Sequence, residues 1–190
     1  MVAASAASAA SASPATSGAS RWAGARAAAT LALACALGAC ASACGGPPPP
    51  SAPSPLLGKP APDFRRPALD GVAIDTVSLR GKVTVVKFFA KYCAPCTRTL
   101  PAVQALRERR PEIAVVGVSE DEHASDAAEL VRTYALTFPV VLDSGNVLSG
   151  RFRVSSLPAT FVIDSLGVVR WVGGAGQSDD DLARAVAATR

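Results

Sequence analysis

Two cysteines stand two residues apart in the segment Cys93-Ala94-Pro95-Cys96. Thiols at this spacing can close a small disulfide ring and open it again, which is the chemistry of thiol–disulfide exchange. The pair follows the apolar run 83–90 and precedes a helical pattern, so Cys93 is predicted at the start of a helix. Free backbone N–H groups and the helix dipole favour the attacking thiolate there. Pro95 falls in the first helical turn, where its missing N–H costs nothing.

The elements around this pair follow an alternating order from residue 56 onward. The apolar runs 83–90 and 113–118 predict buried parallel strands, and 140–142 predicts a third. Helical patterns cover about 95–110 and 126–134. A leading hairpin is expected before them, with its turn at Asp70-Gly71, and a short helical turn is expected over 147–152.

The pattern changes after Leu157-Pro158. Residues 161–163 and 168–172 flank a turn-forming tetrapeptide, so they predict an antiparallel hairpin. Ser178 is predicted to cap a last helix that begins with acidic residues. Together these elements predict an α/β domain over residues 56–190, with a mixed central sheet, helices on both faces, and a C-terminal hairpin plus helix.

The first 39 residues are predicted to be an export signal. They combine two arginines, Arg21 and Arg26, with an apolar stretch and small residues, and they carry no acidic residue. Leu37-Gly38-Ala39-Cys40 resembles a bacterial lipobox, which makes Cys40 a candidate for lipidation. Plain cleavage and an uncleaved anchor over 27–44 remain alternatives. All three place the folded domain outside the cytoplasm, on the periplasmic side.

Residues 40–55 are rich in Gly, Pro and Ser and predict an extended linker. The formal charge of the chain is +4, and removal of the two leader arginines leaves +2. This near-neutral balance gives no electrostatic footprint for nucleic acid, so nucleic-acid binding is set aside.

The domain resembles the thioredoxin fold, and specifically the exported TlpA/ResA-type thiol–disulfide oxidoreductases. The matching segments lie over nearly the whole stretch from residue 56 to 190: 58–64, 78–82, 88–96, 117–119 and 157–164. The resemblance implies that Cys93 is the nucleophile and Cys96 the resolving thiol of a redox disulfide. It also implies a cis peptide bond before Pro158 and a free Leu157 backbone that binds an extended substrate peptide. Tyr92 stands where relatives usually have tryptophan, beside the active site.

Two positions depart from the family pattern. Thr99 stands where many relatives have a glutamate, and Lys87 stands where many thioredoxins have a buried aspartate. Either carboxylate could carry a proton for the resolving thiol, and this chain has neither. Two interpretations of Lys87 stay open: its ammonium snorkels to water from a strand face, or it stabilises a Cys96 thiolate or accepts the Cys96 proton.

Two rival functions are considered. A thiol peroxidase would carry threonine or serine three residues before the reactive cysteine, and that position is Ala90. A Cu(I) chaperone of this fold would use wider cysteine spacing and a nearby histidine, whereas His123 lies in a polar loop-like run. An inert structural disulfide is disfavoured because stabilising disulfides usually close longer loops. No metal site and no diffusible cofactor are expected.

The expected partners are protein substrates with thiols or disulfides, the membrane through the lipid anchor, and a membrane thiol protein that donates electrons. The family favours reduction of substrates, and the direction depends on a redox potential that the residues do not give.

Overall fold

The structure is a computed structural model and describes residues 47–189. The predicted signal over 1–39, the lipidation candidate Cys40 and the linker up to residue 46 lie outside the described residues. Within 47–189, no helix is both long enough and apolar enough to cross a membrane.

The strands and helices follow the order that the sequence predicts, with one added short helix. They are β1 (Arg65–Pro67), β2 (Ala73–Asp75), α1 (Thr76–Leu79), β3 (Thr84–Phe89), α2 (Ala94–Arg109), β4 (Ala114–Ser119), α3 (Ala124–Thr133), β5 (Val140–Leu142), α4 (Val147–Arg151), β6 (Ala159–Ile163), β7 (Val169–Gly173) and α5 (Asp179–Ala188). Helix α1 was not predicted. Its first turn is held because the Asp75 side chain accepts the Val77 N–H.

The central sheet has five strands in the order β5-β4-β3-β6-β7. Strands β3, β4 and β5 are parallel, while β6 and β7 pair antiparallel beside β3. This confirms the predicted mixed sheet and its C-terminal hairpin. Ser178 caps α5 through a reciprocal box with Asp181, as the sequence predicts.

The sheet separates two apolar clusters. On one face, α2, α3 and α5 cover Val85 and Phe89 of β3 together with the disulfide. On the other face, Phe88 packs with Phe152 and Phe161. Phe152 is the C-cap residue of α4, so helices lie on both faces of the sheet, as predicted. Strand β3 is buried along its whole length.

The end of the predicted linker lies against the domain. The Ala52 N–H donates to the Val172 carbonyl oxygen over 2.7 Å, and the Val172 N–H donates to Ser51 Oγ over 2.9 Å. The indole N–H of Trp171 donates to the Pro50 carbonyl oxygen over 3.2 Å. Strand β7 is an edge strand with backbone groups that need partners, and this segment supplies them. Residues 50–52 are therefore part of the packed unit.

Candidate active site

The disulfide joins Cys93 and Cys96 at the point where β3 passes into α2. Cys93 is the N-cap residue of α2, and its N–H donates to the Ala90 carbonyl oxygen over 3.1 Å, which closes the connecting turn. Pro95 lies in the first helical turn, as predicted. Cys93 is 6% exposed and Cys96 is fully buried, so Cys93 is the sulfur that a substrate can reach.

A groove of about 520 Å³ opens beside Cys93. It is lined by the predicted residues Tyr92 and Leu157, and by Pro95, Glu120 and the segment 154–156. The Tyr92 side chain is 71% exposed, so its ring is available for contact with a bound peptide. Two of the groove residues, Tyr92 and Leu157, are thus ones that the family resemblance predicts near the active site.

Leu157, which lines the groove, is joined to Pro158 by a cis peptide bond, as the resemblance implies. Pro158 is buried, while Leu157 is partly exposed. Within residues 47–189, the Leu157 N–H and C=O have no backbone hydrogen-bond partner, although β6 begins two residues later. These two groups can therefore hydrogen-bond an extended chain laid in the groove.

Glu120 is a groove residue that the sequence analysis missed. It follows β4 directly, and the parallel register of β3 and β4 brings it beside the turn that holds Cys93. Burial raises the pKa of its carboxyl, the Ser149 hydroxyl lowers it by hydrogen bonding, and the charge of Asp143 raises it again. The signal that could have found it is its place at the carboxyl end of a parallel strand, next to the end that carries the cysteines.

Asp121 was also missed, and it fixes the turn before Cys93. Its Oδ1 accepts the Lys91 N–H over 2.9 Å, and its Oδ2 accepts the Ser119 hydroxyl over 2.7 Å. The side chain is buried, so both bonds are shielded from water. Asp121 therefore ties the loop after β3 to the end of β4.

The burial of Lys87 contradicts the first interpretation of this residue, in which its ammonium snorkels to water. A snorkelling ammonium needs a path to water, yet Lys87 is fully buried. Both neighbouring strands pair with β3 and both faces of the sheet are covered, so no such path exists. Its Nζ donates to Thr160 Oγ1 over 3.0 Å, and burial lowers its pKa to about 7.

Thr99 lies on α2 and is also buried. Its hydroxyl donates to the Cys96 carbonyl oxygen over 3.1 Å, so it is bonded to the helix backbone. This contact gives Thr99 a structural partner that a glutamate at this position would not share. A role for Thr99 in the proton chemistry of the cysteines stays a prediction.

The structure shows where the residues lie on which the rival functions would depend. Across 47–189, no group of three or more His, Cys, Asp and Glu side chains is placed to hold a metal ion. Ala90, three residues before Cys93, is buried and supplies no hydroxyl to the reactive sulfur. His123 is exposed at the N-cap of α3.

Comparison with known proteins places the chain in a family. The AhpC/TSA family model matches residues 57–172, more than half of the chain. The chain is 32% identical over 115 residues to the thiol-disulfide oxidoreductase ResA of Bacillus cereus, covering 60% of this chain and 66% of ResA, just under two thirds. It is 32% identical over 117 residues to the thioredoxin-like protein YneN of Bacillus subtilis, covering 60% and 68%.

Solved structures agree with this assignment. A secreted disulfide oxidoreductase of Mycobacterium tuberculosis superposes with a TM-score of 0.62 at 26% identity, covering 66% of this chain and 95% of that one. The Cys93–Cys96 pair and the groove beside it thus lie in a domain that shares its fold with a disulfide oxidoreductase of known structure. The chain belongs to the AhpC/TSA family and, within it, to the thioredoxin-like group of ResA type.

Proposed function

We propose that this chain is an extracytoplasmic thiol–disulfide oxidoreductase that exchanges its Cys93–Cys96 disulfide with protein substrates and works as a reductase. One observation carries the proposal. The disulfide-bonded pair lies at a helix N-terminus, and its accessible sulfur opens into a groove lined by Leu157, whose backbone groups have no backbone partner among residues 47–189. The ResA relatives bear the name thiol-disulfide oxidoreductase, which supports the same activity.

The reaction has two steps. The Cys93 thiolate attacks one sulfur of a substrate disulfide, forms a mixed disulfide and releases the other sulfur as a thiolate. Cys96 then attacks Cys93 Sγ, which breaks the mixed disulfide and releases the second substrate sulfur. The substrate gains two electrons, and the Cys93–Cys96 disulfide is left oxidised. The released thiolates take protons from water.

The groove would bind the substrate as an extended strand. The Leu157 N–H and C=O supply the backbone hydrogen bonds, and the exposed Tyr92 ring supplies an apolar contact. Backbone recognition is independent of side-chain identity, so this part of the site selects an extended conformation around the substrate cysteine.

The cellular setting follows from the leader. Residues 1–39 would direct export, and lipidation of Cys40 would hold the domain at a membrane through the linker that begins at residue 40. The secreted mycobacterial structure supports an exported location. Because such a compartment favours disulfides, a reductase there needs a membrane thiol protein as electron donor.

The activity is tested with the full chain and a peptide that contains one intramolecular disulfide. The reduced wild type is expected to reduce the peptide far faster than the free thiol, and Cys93→Ser is expected to remove this acceleration. Equal rates for the two proteins would contradict the proposal. Consumption of peroxide in place of the disulfide, or tight binding of Cu(I) without exchange, would support a rival function.

The direction is tested by equilibrating the Cys93/Cys96 pair with glutathione mixtures. A potential near the roughly −270 mV of thioredoxin is expected for a reductase. A potential near the roughly −120 mV of a strong oxidant would show that the chain oxidises its substrates.

A further inference from the structure

Lys87 is a buried base that the two exchange steps above do not use. Its side chain is fully buried in the middle of β3, and its Nζ has one hydrogen-bond partner within residues 47–189, Thr160 Oγ1 at 3.0 Å. An ammonium has three donors, so the charged form is under-satisfied at this position. Burial alone lowers its pKa to about 7, and no carboxylate of the described residues raises it again. Both protonation states are therefore accessible near neutral pH.

The pleat of β3 places Lys87 on the face of the sheet that holds the disulfide. Side chains alternate along a strand, so Lys87 lies on the same face as its neighbours Val85 and Phe89. These two residues pack in the cluster that contains Cys93 and Cys96. Thr160, opposite Lys87 on β6, comes two residues after Pro158. Lys87 thus lies under the covering helices on the side of the sheet that holds the redox pair.

The other acidic groups near the redox pair in the described part of the chain have partners of their own, and the first of them, the Glu120 carboxyl in the groove, accepts the Ser149 hydroxyl. Opposite Lys87 on β4 stands Gly117, and beyond it Asp121 is engaged by Ser119 and the Lys91 N–H. The side chains that the remaining described elements bring to this cluster carry no carboxylate and no amine. They are Leu130 and Tyr134 from the α3 region, Trp171 from β7, Leu182, Ala185 and Val186 from α5, and Gln177 beside Gly173.

Cys96 needs a cation nearby if it is to react at neutral pH. A free cysteine has a pKa of about 8.5, and burial raises it. Cys96 is fully buried, so its thiol would hold its proton when it must attack the mixed disulfide. A positive charge on the same face would reverse that preference.

We propose that Lys87 and Cys96 share one proton, so that the lysine amine accepts the thiol proton when Cys96 becomes the attacking thiolate. This inference rests on the proposed exchange activity. Cys96–SH and Lys87–NH₂ become Cys96–S⁻ and Lys87–NH₃⁺. The thiolate then bonds to Cys93 Sγ, and the bonding pair of the mixed disulfide leaves on the substrate sulfur. When the Cys93–Cys96 disulfide is next reduced, the released Cys96 thiolate takes this proton back from Lys87–NH₃⁺.

The test follows the titration of both residues in the full chain, with ¹³C labels on Cys Cβ and Lys Cε. In the wild type, the pKa of Lys87 is expected to rise by at least about one unit on reduction, because the Cys96 thiolate stabilises the ammonium. Cys96→Ser is expected to abolish this rise. Lys87→Met is expected to raise the pKa of Cys96 by a similar amount and to slow resolution of the mixed disulfide about tenfold at pH 7.

Val85→Ala is the matched control, because it removes buried volume from the same face of the same strand and carries no charge. It is expected to leave the pKa of Cys96 unchanged, and Lys87→Gln gives a second uncharged variant should Lys87→Met not fold. An unchanged Cys96 pKa in the lysine variants, or an equal change in Val85→Ala, would overturn the inference. If the wild type performs no exchange, the proposed function fails instead, and the titrations still report whether the two groups are coupled.

Discussion

The two faces of β3 differ in what they bury. On one face, Phe88 lies 5.2 Å from Phe152 and 5.7 Å from Phe161 between ring centroids, and the contacts are tilted or edge-on. On the other face, Lys87 stands between Val85 and Phe89 under the helices that carry the disulfide. Adjacent residues of one strand, Lys87 and Phe88, thus place an ionisable amine on one face and an aromatic cluster on the other.

The difference shows how the fold separates stability from chemistry. The aromatic face contributes favourable burial and ring–ring contacts. The face with the redox pair accepts a desolvated amine, which costs stability, beside a sulfur that is partly accessible. Mutations on the aromatic face should therefore lower mainly the free energy of unfolding, whereas mutations at Lys87 should change the pH dependence of stability and the thiol chemistry.

The largest effect is expected on the aromatic face. Phe152→Ala should lower the free energy of unfolding by about 3–5 kcal/mol, because the fully buried ring leaves a cavity beside Phe88 and Phe161. Denaturant titration measures the loss. The exchange rate of the remaining folded protein should match the wild type. A large change in the reactivity of Cys93 would break the proposed separation of the faces.

A smaller, pH-dependent effect is expected from Lys87→Met, measured in the oxidised protein so that the thiols do not titrate. The folded pKa of Lys87, about 7, lies below its ordinary 10.5, so the unfolded chain binds a proton that the folded chain lacks between these values. Wild-type stability should therefore rise by about 2–3 kcal/mol from pH 7 to pH 9 relative to the variant.

The free energy of unfolding of the wild type, relative to that of Lys87→Met, should accordingly be highest in alkaline solution. In acid, where the buried amine is charged, the variant should be the more stable protein. Parallel stability curves for both proteins over this range would show that the lysine keeps its proton when buried. That outcome would also remove the neutral amine from the mechanism.

The smallest effect is expected at Ser178. Its side chain accepts the Asp181 N–H at the start of α5, which covers the face with the disulfide. Ser178→Ala should cost about 1 kcal/mol in thermal or chemical unfolding. The pKa of Cys96 should not move, and a shift would mean that fraying of α5 admits water to this face.

The sequence predicts the elements better than it predicts their contacts. The apolar run 83–90, the hairpin after Pro158 and the Ser178 cap are local patterns, and the structure contains all three. Burial of Lys87 is not local, because it depends on β4 and β6 pairing on both sides of β3. The single charge in this apolar strand therefore left the snorkelling interpretation open, and only the pairing of β3 on both sides excludes it.

Glu120 and Asp121 were missed for a related reason. They follow β4 in the sequence, and they meet the cysteine turn only through the register that pairs Phe89 with Ser119. Docking of residues 50–52 on β7 is likewise a contact over more than 100 positions of sequence, as the Pro50–Trp171 bond shows. The Pro-rich composition of residues 40–55 predicts an extended chain, and an extended backbone is what allows residues 50–52 to lie along the edge of β7.

The most direct test of the central claim is to trap the mixed disulfide. The full chain, with Cys35, Cys40 and Cys44 replaced by serine so that no other thiol reacts, carries Cys96→Ser and is reduced and mixed with a disulfide peptide. It should accumulate one peptide per chain, attached at Cys93 when the adduct is mapped by mass spectrometry. The matched Cys93→Ser protein should form little adduct, because Cys96 is buried and Cys93 opens on the groove. Equal adduct on both variants, or attachment at Cys96 alone, would contradict the account.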